Sequence, residues 1–243
     1  MSYQPTFFDQ LSPERILRQD KANGVDPYVF NDDIVIAVDV ALATGRPLLV
    51  SGLPGSGKSR LADAVAAVQG WSLLRKTITS RTRLEELTVE VDHLRRLNDA
   101  QSRRAEDQLK PDTYYHNPGI FWWAFRPDSA RHRGMQSGQA KRYDVEPDYP
   151  GIRRGKIWRH PVVLLIDEID KAEPDLPNDL LEPLDRRSFG LPDGGRIEGD
   201  PEHTILTVIT TNDERELPQA FLRRCISLEL PEPAPERLVE IAP

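Results

Sequence analysis

The chain has 243 residues, of which 29% are charged, and its formal net charge is −7. This length supports one well-packed domain with a small appendage, and the acidic balance argues against general nucleic-acid binding while leaving local basic patches open. Its one cysteine, Cys225, excludes a disulfide framework within the chain and is typical of a reducing compartment, so we expect a cytoplasmic protein.

Residues 1–27 are polar and broken by prolines, which predicts an N-terminal lead-in. They contain no basic segment followed by an apolar stretch, and no run in the chain approaches the roughly 20 apolar residues that span a bilayer. Residues 32–42 follow with Ile34, Val38 and Ala41 on one stripe, so they predict an amphipathic helix.

Residues 52–59 match the phosphate-binding pattern G-x-x-x-x-G-K-[ST]. The match lies between an apolar run at 47–50, predicted to be a strand, and a predicted helix at 61–68. Glycine loops at helix N-termini surround phosphate oxygens with backbone N–H groups. We expect Lys58 to reach the β- and γ-phosphates of ATP and the Ser59 hydroxyl to bind Mg²⁺. The predicted nucleotide-binding set is Gly52, Leu53, Pro54, Gly55, Ser56, Gly57, Lys58, Ser59 and Arg60. The plainer alternative is a glycine-rich turn with a surface lysine.

The predicted strand at 162–166 is followed by Asp167 and Glu168. Five consecutive apolar residues are typical of a parallel strand covered on both faces, and ligands of such sheets bind at the carboxyl ends of the strands. Asp167 is therefore the second candidate Mg²⁺ ligand, with Ser59. Glu168 is placed to polarise a water molecule for attack on the γ-phosphate. Asp170 and Lys171 are expected only to begin the next helix.

Residues 204–210 form another β-branched apolar run, which predicts a strand. Asn212 follows its carboxyl end, where an uncharged donor and acceptor could orient the attacking water or the γ-phosphate. The alternative is an asparagine in an ordinary turn.

The middle of the chain predicts a strand at 72–78 and a helix at about 83–99, followed by an insertion at about 100–160. Six of the 17 aromatic residues lie within 114–125, either as a small satellite core or as a substrate-gripping loop. Residues 126–160 hold nine Lys/Arg against four Asp/Glu, which predicts an exposed, irregular, basic loop. A helix at 175–185 and a hairpin at 188–197 are predicted next.

The phosphate motif, Leu164–Asp170, Thr210–Asn212 and Glu216–Cys225 together resemble AAA+ ATPases of the MoxR type. The resemblance spans about residues 28–235. It implies an α/β fold: a three-layer P-loop NTPase sandwich around a parallel sheet, of the additional-strand type, with an insertion in the second helix. It also implies that the protein binds ATP and Mg²⁺ and hydrolyses ATP to ADP and phosphate.

In that family the position of Asn212 is the sensor-1 residue, and an arginine before the last core strand reaches the neighbouring subunit's nucleotide. Arg223 and Arg224 both stand there, and the register favours Arg224. A cationic helix C-terminus is the alternative for Arg223. The resemblance further implies a homo-oligomeric ring, a hexamer, that remodels a protein partner in a chaperone-like way. A von Willebrand A-domain protein is the expected client.

Two other functions stay open at this stage. One is a nucleotide-dependent switch or scaffold with weak hydrolysis, which the presence of Glu168 and Asn212 argues against. The other is a nucleic-acid-associated motor that uses the basic stretch at 126–160.

The chain ends soon after the predicted strand at 226–230 and a proline-rich linker. Residues 236–243 are predicted to begin a helical lid that is largely absent from this chain.

Overall fold

A computed structural model describes residues 16–17, 26–101, 110–143 and 160–231. In these ranges the strands are, in chain order, β1 (Ile16–Leu17), β2 (Tyr28–Val29), β3 (Leu48–Ser51), β4 (Ser72–Thr77), β5 (Val89–Val91), β6 (His116–Pro118), β7 (Val162–Asp167), β8 (Ser188–Gly190), β9 (Arg196–Glu198), β10 (Ile205–Thr210) and β11 (Ile226–Glu229). The helices are α1 (Asp32–Thr44), α2 (Lys58–Gln69), α3 (Leu84–Leu87), α4 (His93–Gln101), α5 (Ile120–Phe125), α6 (Pro127–Arg131), α7 (Ser137–Arg142), α8 (Leu176–Asp179), α9 (Leu181–Arg186) and α10 (Gln219–Leu222).

Some predicted segments lie wholly or partly outside these ranges. The start of the lid at 236–243 lies outside the described residues, as do most of the lead-in at 1–27 and the second half of the basic stretch. Residues 16–17 of the lead-in form β1, which pairs antiparallel with β2.

A five-stranded parallel sheet forms the centre, in the order β11-β3-β10-β7-β4. The predicted strand that follows the phosphate loop is β4, and it lies at the edge of the sheet beside β7. The strand that separates β3 from β7 is β10, which pairs with both. This order brings the carboxyl ends of β3, β10 and β7 side by side.

Alternate residues of each central strand face two separate apolar layers, which makes the fold a three-layer α/β sandwich as predicted. Val163 and Leu165 of β7 pack with α1 and α2 on one face. Leu164 and Ile166 pack with α5, α8, α9 and α10 on the other. Because both faces are covered, β7 is apolar at every residue before Asp167, whereas β10 carries one polar residue in its interior, the partly buried Thr207.

The prediction of one helix over residues 83–99 is wrong in the middle of that segment. The chain forms α3, then the strand β5, then α4. β5 pairs antiparallel with β6, about 27 residues further on. The apolar spacing that indicated one helix is misleading, since Leu94 is 69% exposed while Val89 is buried.

The aromatic stretch divides between two apolar clusters. Residues 120–125 form α5, and every one of them is buried in the layer under the sheet. Tyr114 and Tyr115 pack instead with Met135 and Ala140 in a small separate cluster. The satellite-core interpretation therefore holds for the two tyrosines, whereas α5 belongs to the main core. With all six aromatic side chains buried, the structure gives no support to a substrate-gripping loop at 114–125.

The basic stretch is not irregular in its first half. Residues 127–131 and 137–142 form α6 and α7. Buried Ala130, Met135 and Ala140 anchor these helices. Arg126 donates to the backbone oxygen of Glu198, at 2.7 Å, so part of the basic charge holds the insertion to β9. The predicted helix at 175–185 is also divided, into α8 and α9, while the hairpin is confirmed as β8 and β9.

Gly119 stands where α5 meets the end of α3. A Cβ atom at this position would lie 2.3 Å from the backbone carbon of Leu87 and 2.6 Å from the nitrogen of Thr88. We predict that Gly119→Ala lowers the free energy of unfolding by about 1–3 kcal/mol, because backbone atoms cannot move aside cheaply. Urea denaturation measures the loss.

Gly138→Ala is the matched control, since nothing lies within 4 Å of a Cβ atom there and the residue is helical. It should leave stability unchanged or raise it by up to about 1 kcal/mol. Equal effects from the two substitutions would contradict the steric explanation.

Candidate nucleotide-binding site

The predicted phosphate loop connects β3 to α2. Helix α2 begins at Lys58, and its first turn is closed by the Leu61 N–H, which donates to the Gly57 oxygen at 3.0 Å. Gly52 has φ of +143°, and a Cβ atom on it would lie 2.4 Å from the Leu230 oxygen. Only glycine fits at the point where the loop leaves β3 and passes the end of β11. The loop and helix thus have the geometry of an anion site at a helix N-terminus.

Lys58 is buried inside this loop. Its ammonium donates to the backbone oxygens of Gly52 and Leu53, at 2.7 and 2.9 Å. Burial lowers the pKa of Lys58, while nearby carboxylates, led by Asp170, act in the opposite direction. The loop's own carbonyls therefore hold the cation at the mouth of the loop, where phosphate oxygens can replace them.

Asp167, at the end of β7, meets the phosphate loop directly. The Ser59 hydroxyl donates to Asp167 Oδ1 at 2.6 Å, although the two residues are 108 positions apart. The Thr210 hydroxyl, at the end of β10, donates to the same oxygen at 2.6 Å. Three elements thus converge on one carboxylate oxygen.

These residues suit a nucleotide with Mg²⁺. A serine hydroxyl and one carboxylate are hard oxygen ligands, and Mg²⁺ commonly takes few protein ligands together with phosphate oxygens and water. Within the loop, the Ser56 hydroxyl is buried and has no hydrogen-bond partner among the described residues, so it can donate to a phosphate oxygen. Ser59 and Asp167 are the residues that would hold the ion.

Glu168 has a left-handed backbone, with φ of 62° and ψ of 50°. This conformation costs a non-glycine residue roughly 1–3 kcal/mol and is typical of functional sites. The Glu168 N–H donates to the Thr210 hydroxyl at 2.9 Å, which holds the strained residue in place. Its carboxylate pairs with the Lys171 ammonium at 2.8 Å. Both line a cavity of about 500 Å³, with Thr79, Ser80 and Glu214 on its other walls.

Asn212 lies just beyond β10, in the loop next to Glu168. Its N–H donates to Asp170 Oδ2 at 3.0 Å. Asp170 itself is buried, with 3% of its surface exposed. We expected Asp170 and Lys171 only to begin the next helix, and this expectation is corrected: they lie in the short 3-10 helix Ile169–Lys171, where Asp170 accepts the Asn212 N–H and Lys171 pairs with Glu168.

The two candidate arginines lie near the amino ends of the strands, at the opposite end of the sheet from the phosphate loop. They precede β11, which runs parallel to β3 with Ile226 opposite Leu48. Four strand residues span about 13 Å, so neither arginine is near the phosphate loop of its own chain. Arg46 donates to the backbone oxygens of Arg223, Arg224 and Cys225 and fixes this turn.

The side chains of the two arginines differ in their contacts. Arg224 pairs with Asp185 and donates to the Ala220 oxygen at 2.7 Å. Arg223 is exposed, and its side chain makes no hydrogen bond or ion pair within the described ranges. The expectation from register that Arg224 acts on a neighbour stays a prediction, and the contacts make Arg223 the more available of the two.

Sequence reasoning missed four residues that shape the site. They are Tyr28, Thr210, Asp170 and Lys171. The Tyr28 ring approaches to 3.5 Å from where a Cβ atom on Gly57 would be, so it lies beside the phosphate loop. The signal available for Thr210 was its position in line with Asp167, since both residues end neighbouring strands. No signal in the sequence marked Tyr28.

The fold and the loop define the chain as a P-loop nucleotide-binding domain. The family model described as the AAA domain, dynein-related subfamily, matches residues 47–225, which is well over half of the chain. The chain belongs to this family.

No curated protein matches the chain. It is similar to the crystal structure of a "putative ATPase" from Cytophaga hutchinsonii, with 14% identity and a TM-score of 0.49, over 83% of this chain and 46% of that one. The chain thus spans about half of that protein's length. Among the described residues, no helix combines the length and apolarity needed to cross a membrane.

The Thr210 hydroxyl can be tested by a shape-preserving change. We predict that Thr210→Val lowers the free energy of unfolding by about 1–3 kcal/mol, because it leaves the Glu168 N–H without its acceptor and Asp167 with one donor fewer. Thermal and urea denaturation measure this effect.

Thr207→Val, on the same strand, is the control. Thr207 is only partly buried and makes no side-chain hydrogen bond within the described residues, so a change of less than about 0.5 kcal/mol is expected. A loss at Thr207 as large as at Thr210 would show that strand packing, not the hydroxyl, is responsible.

Proposed function

We propose that this chain binds ATP with Mg²⁺ and hydrolyses it to ADP and phosphate, as an AAA+ ATPase of the MoxR type. The observation that carries the proposal is the 2.6 Å contact between the Ser59 hydroxyl and Asp167 Oδ1. It joins the phosphate loop to the strand that ends in Glu168. A surface lysine in a glycine turn, the plainer alternative, would need no such contact.

Different residues of the chain have different tasks in the proposed reaction. Backbone N–H groups of the loop and the Lys58 ammonium bind the phosphates, and Ser59 and Asp167 hold the ion. When bound, Mg²⁺ neutralises charge that builds on the β- and γ-phosphates. The Glu168 carboxylate takes a proton from the attacking water, once it leaves Lys171. The Asn212 amide orients that water or the γ-phosphate.

We propose that the protein acts as a homo-oligomeric ring, as a hexamer. Arg223 and Arg224 lie about one strand length from their own phosphate loop, so an arginine that touches nucleotide must do so in another copy. Arg223 is exposed, whereas Arg224 is held by Asp185. We therefore propose Arg223 as the first candidate for the residue acting on a neighbour, with Arg224 as the second.

The proposed biological role is chaperone-like remodelling of a protein partner, with a von Willebrand A-domain protein as the first client to test. The hairpin formed by β8 and β9, directly before β10, supports this assignment by its resemblance to MoxR-type proteins. We also propose a cytoplasmic location, because a chain with one cysteine forms no disulfide within itself, as is typical of reducing compartments. Burial raises the pKa of the Cys225 thiol to about 12, so this residue is protonated and unreactive.

Two variants separate nucleotide binding from hydrolysis. Lys58→Ala should abolish ATP binding, because it removes the side-chain cation that contacts the phosphates. Glu168→Gln keeps the size of the side chain but loses the base, so it should bind ATP normally and hydrolyse it roughly 10²–10⁴-fold more slowly. Titration calorimetry and phosphate release provide the two measurements.

Lys141→Ala and Glu85→Gln are the controls, since both side chains are exposed and lie outside the site. Undiminished ATP affinity in Lys58→Ala would refute the proposed binding site. Tight ATP binding with no hydrolysis by the wild-type protein would favour the nucleotide-dependent switch instead.

Mixtures of two variant proteins test whether Arg223 or Arg224 acts on the nucleotide of a neighbouring subunit. An arginine that acts between subunits contributes roughly 10³–10⁵ in rate, so Arg223→Ala should lose turnover and keep ATP binding. Adding Lys58→Ala protein should restore part of the activity, because its subunits supply an intact Arg223 to the neighbouring site. ATPase rates across mixing ratios, at fixed total protein, measure the recovery.

Arg224→Ala is measured in the same way, and exposed Arg131→Ala is the control that should not lose activity. Loss and recovery with Arg224→Ala alone would assign the role to Arg224. A rate strictly proportional to protein concentration, without recovery in either mixture, would point to an active monomer.

A further inference from the structure

A buried carboxylate, Asp170, connects the turn after Glu168 to the loop that contains Asn212. Asp170 Oδ2 accepts hydrogen bonds from two backbone N–H groups, that of Asn212 at 3.0 Å and that of Glu214 at 3.1 Å. Hydrogen bonds to an ionised acceptor are roughly twice as strong as neutral ones. The loop is therefore fixed by one side chain at two points.

The loop between these points has an unusual backbone. Asp213 has φ of +57°, in the left-handed region. Its N–H donates to the Thr211 hydroxyl at 2.9 Å. The chain thus turns sharply directly after Asn212, and both ends of that turn are held by the same oxygen of Asp170. Without this anchor, nothing else described in the structure binds the N–H groups of Asn212 and Glu214.

Holding a charge here is costly for the fold. Asp170 is 3% exposed, and its other oxygen, Oδ1, is buried without a hydrogen-bond partner among the described residues. Among the carboxylates that raise the pKa of Lys58, Asp170 acts most strongly. The two N–H groups compensate in part for the burial of the Asp170 carboxylate. A residue used only for packing would be apolar at this depth.

We propose that Asp170 is the positioning residue for Asn212. It fixes the distance between Asn212, at the end of β10, and Glu168, at the end of β7. This inference rests on the proposed ATP hydrolysis. Asp170 touches neither nucleotide nor water in this role, and its effect on the reaction passes through Asn212.

A double-mutant cycle tests the proposal. Asp170→Ala should reduce the rate of ATP hydrolysis about 10–100-fold, as losses of residues that orient a functional group commonly do, and change the ATP dissociation constant by less than about 3-fold. The double variant Asp170→Ala with Asn212→Ala should be no slower than Asn212→Ala alone. Rates that multiply would overturn the proposal.

Two further variants separate positioning from simple loss of structure. In Asp170→Asn the amide oxygen can accept both N–H groups, so at least about a third of the wild-type rate should return, because both hydrogen bonds are kept although their acceptor is now neutral. Asp200→Ala is the matched control, since its carboxylate accepts the Glu202 N–H at 3.0 Å at the opposite end of β10. It should lose stability without losing rate. Equal losses of rate in Asp200→Ala and Asp170→Ala would overturn the proposal.

If Asp170→Ala fails to fold, Asp170→Ser takes its place in the cycle, because its shorter hydroxyl cannot reach both N–H groups but admits water. The same non-additivity is expected. Wild-type protein and Glu168→Gln are measured alongside. If the wild type hydrolyses no more ATP than Glu168→Gln, the proposed function fails. If the wild type is active and Asp170→Ala equals it, only the positioning role fails.

Discussion

The geometry of the site depends on one oxygen atom, Asp167 Oδ1. It accepts hydrogen bonds from Ser59 on α2 and from Thr210 on β10, each at 2.6 Å. Because the Thr210 hydroxyl also accepts the Glu168 N–H, the same small network holds the strained backbone of Glu168. The start of α2, the end of β7 and the end of β10 therefore form one hydrogen-bonded unit, and displacement of any one of them disturbs the other two.

The sheet makes this convergence possible. β10 lies between β3 and β7, so the three carboxyl ends are adjacent although the segments are far apart in the chain. Apolar layers cover both faces of the sheet, so the residues of the candidate site lie beyond the carboxyl ends of the strands. Asp170 is a buried carboxylate between the turn after Glu168 and the loop that contains Asn212. The sheet and its two apolar layers thus form a rigid support, and the polar residues at the carboxyl ends of the strands form the candidate site.

Much of the frame could be predicted from local patterns. The phosphate loop has a distinctive sequence, and the runs at 162–166 and 204–210 are apolar because both faces of their strands are buried. The remainder depends on distant contacts. β5 exists because it pairs with β6, and that pairing overrides a helical spacing of leucines. Arg224 is occupied by Asp185, 39 positions away, which no feature near Arg224 indicates. The roles of Asp170 and Thr210 likewise appear only when two strand ends are brought together.

β3 is only four residues long, and candidate functional residues lie near both of its ends. Its carboxyl end leads into the phosphate loop. Its amino end lies two residues after Arg46, whose guanidinium donates to the backbone oxygens of Arg223, Arg224 and Cys225. In the proposed ring, β3 would therefore connect the phosphate loop at one end with the turn of Arg223 and Arg224, proposed to face a neighbour's nucleotide, at the other. A short strand that pairs with a neighbour on each side is stiff along its length, so β3 would keep the distance between its phosphate loop and its arginine pair constant.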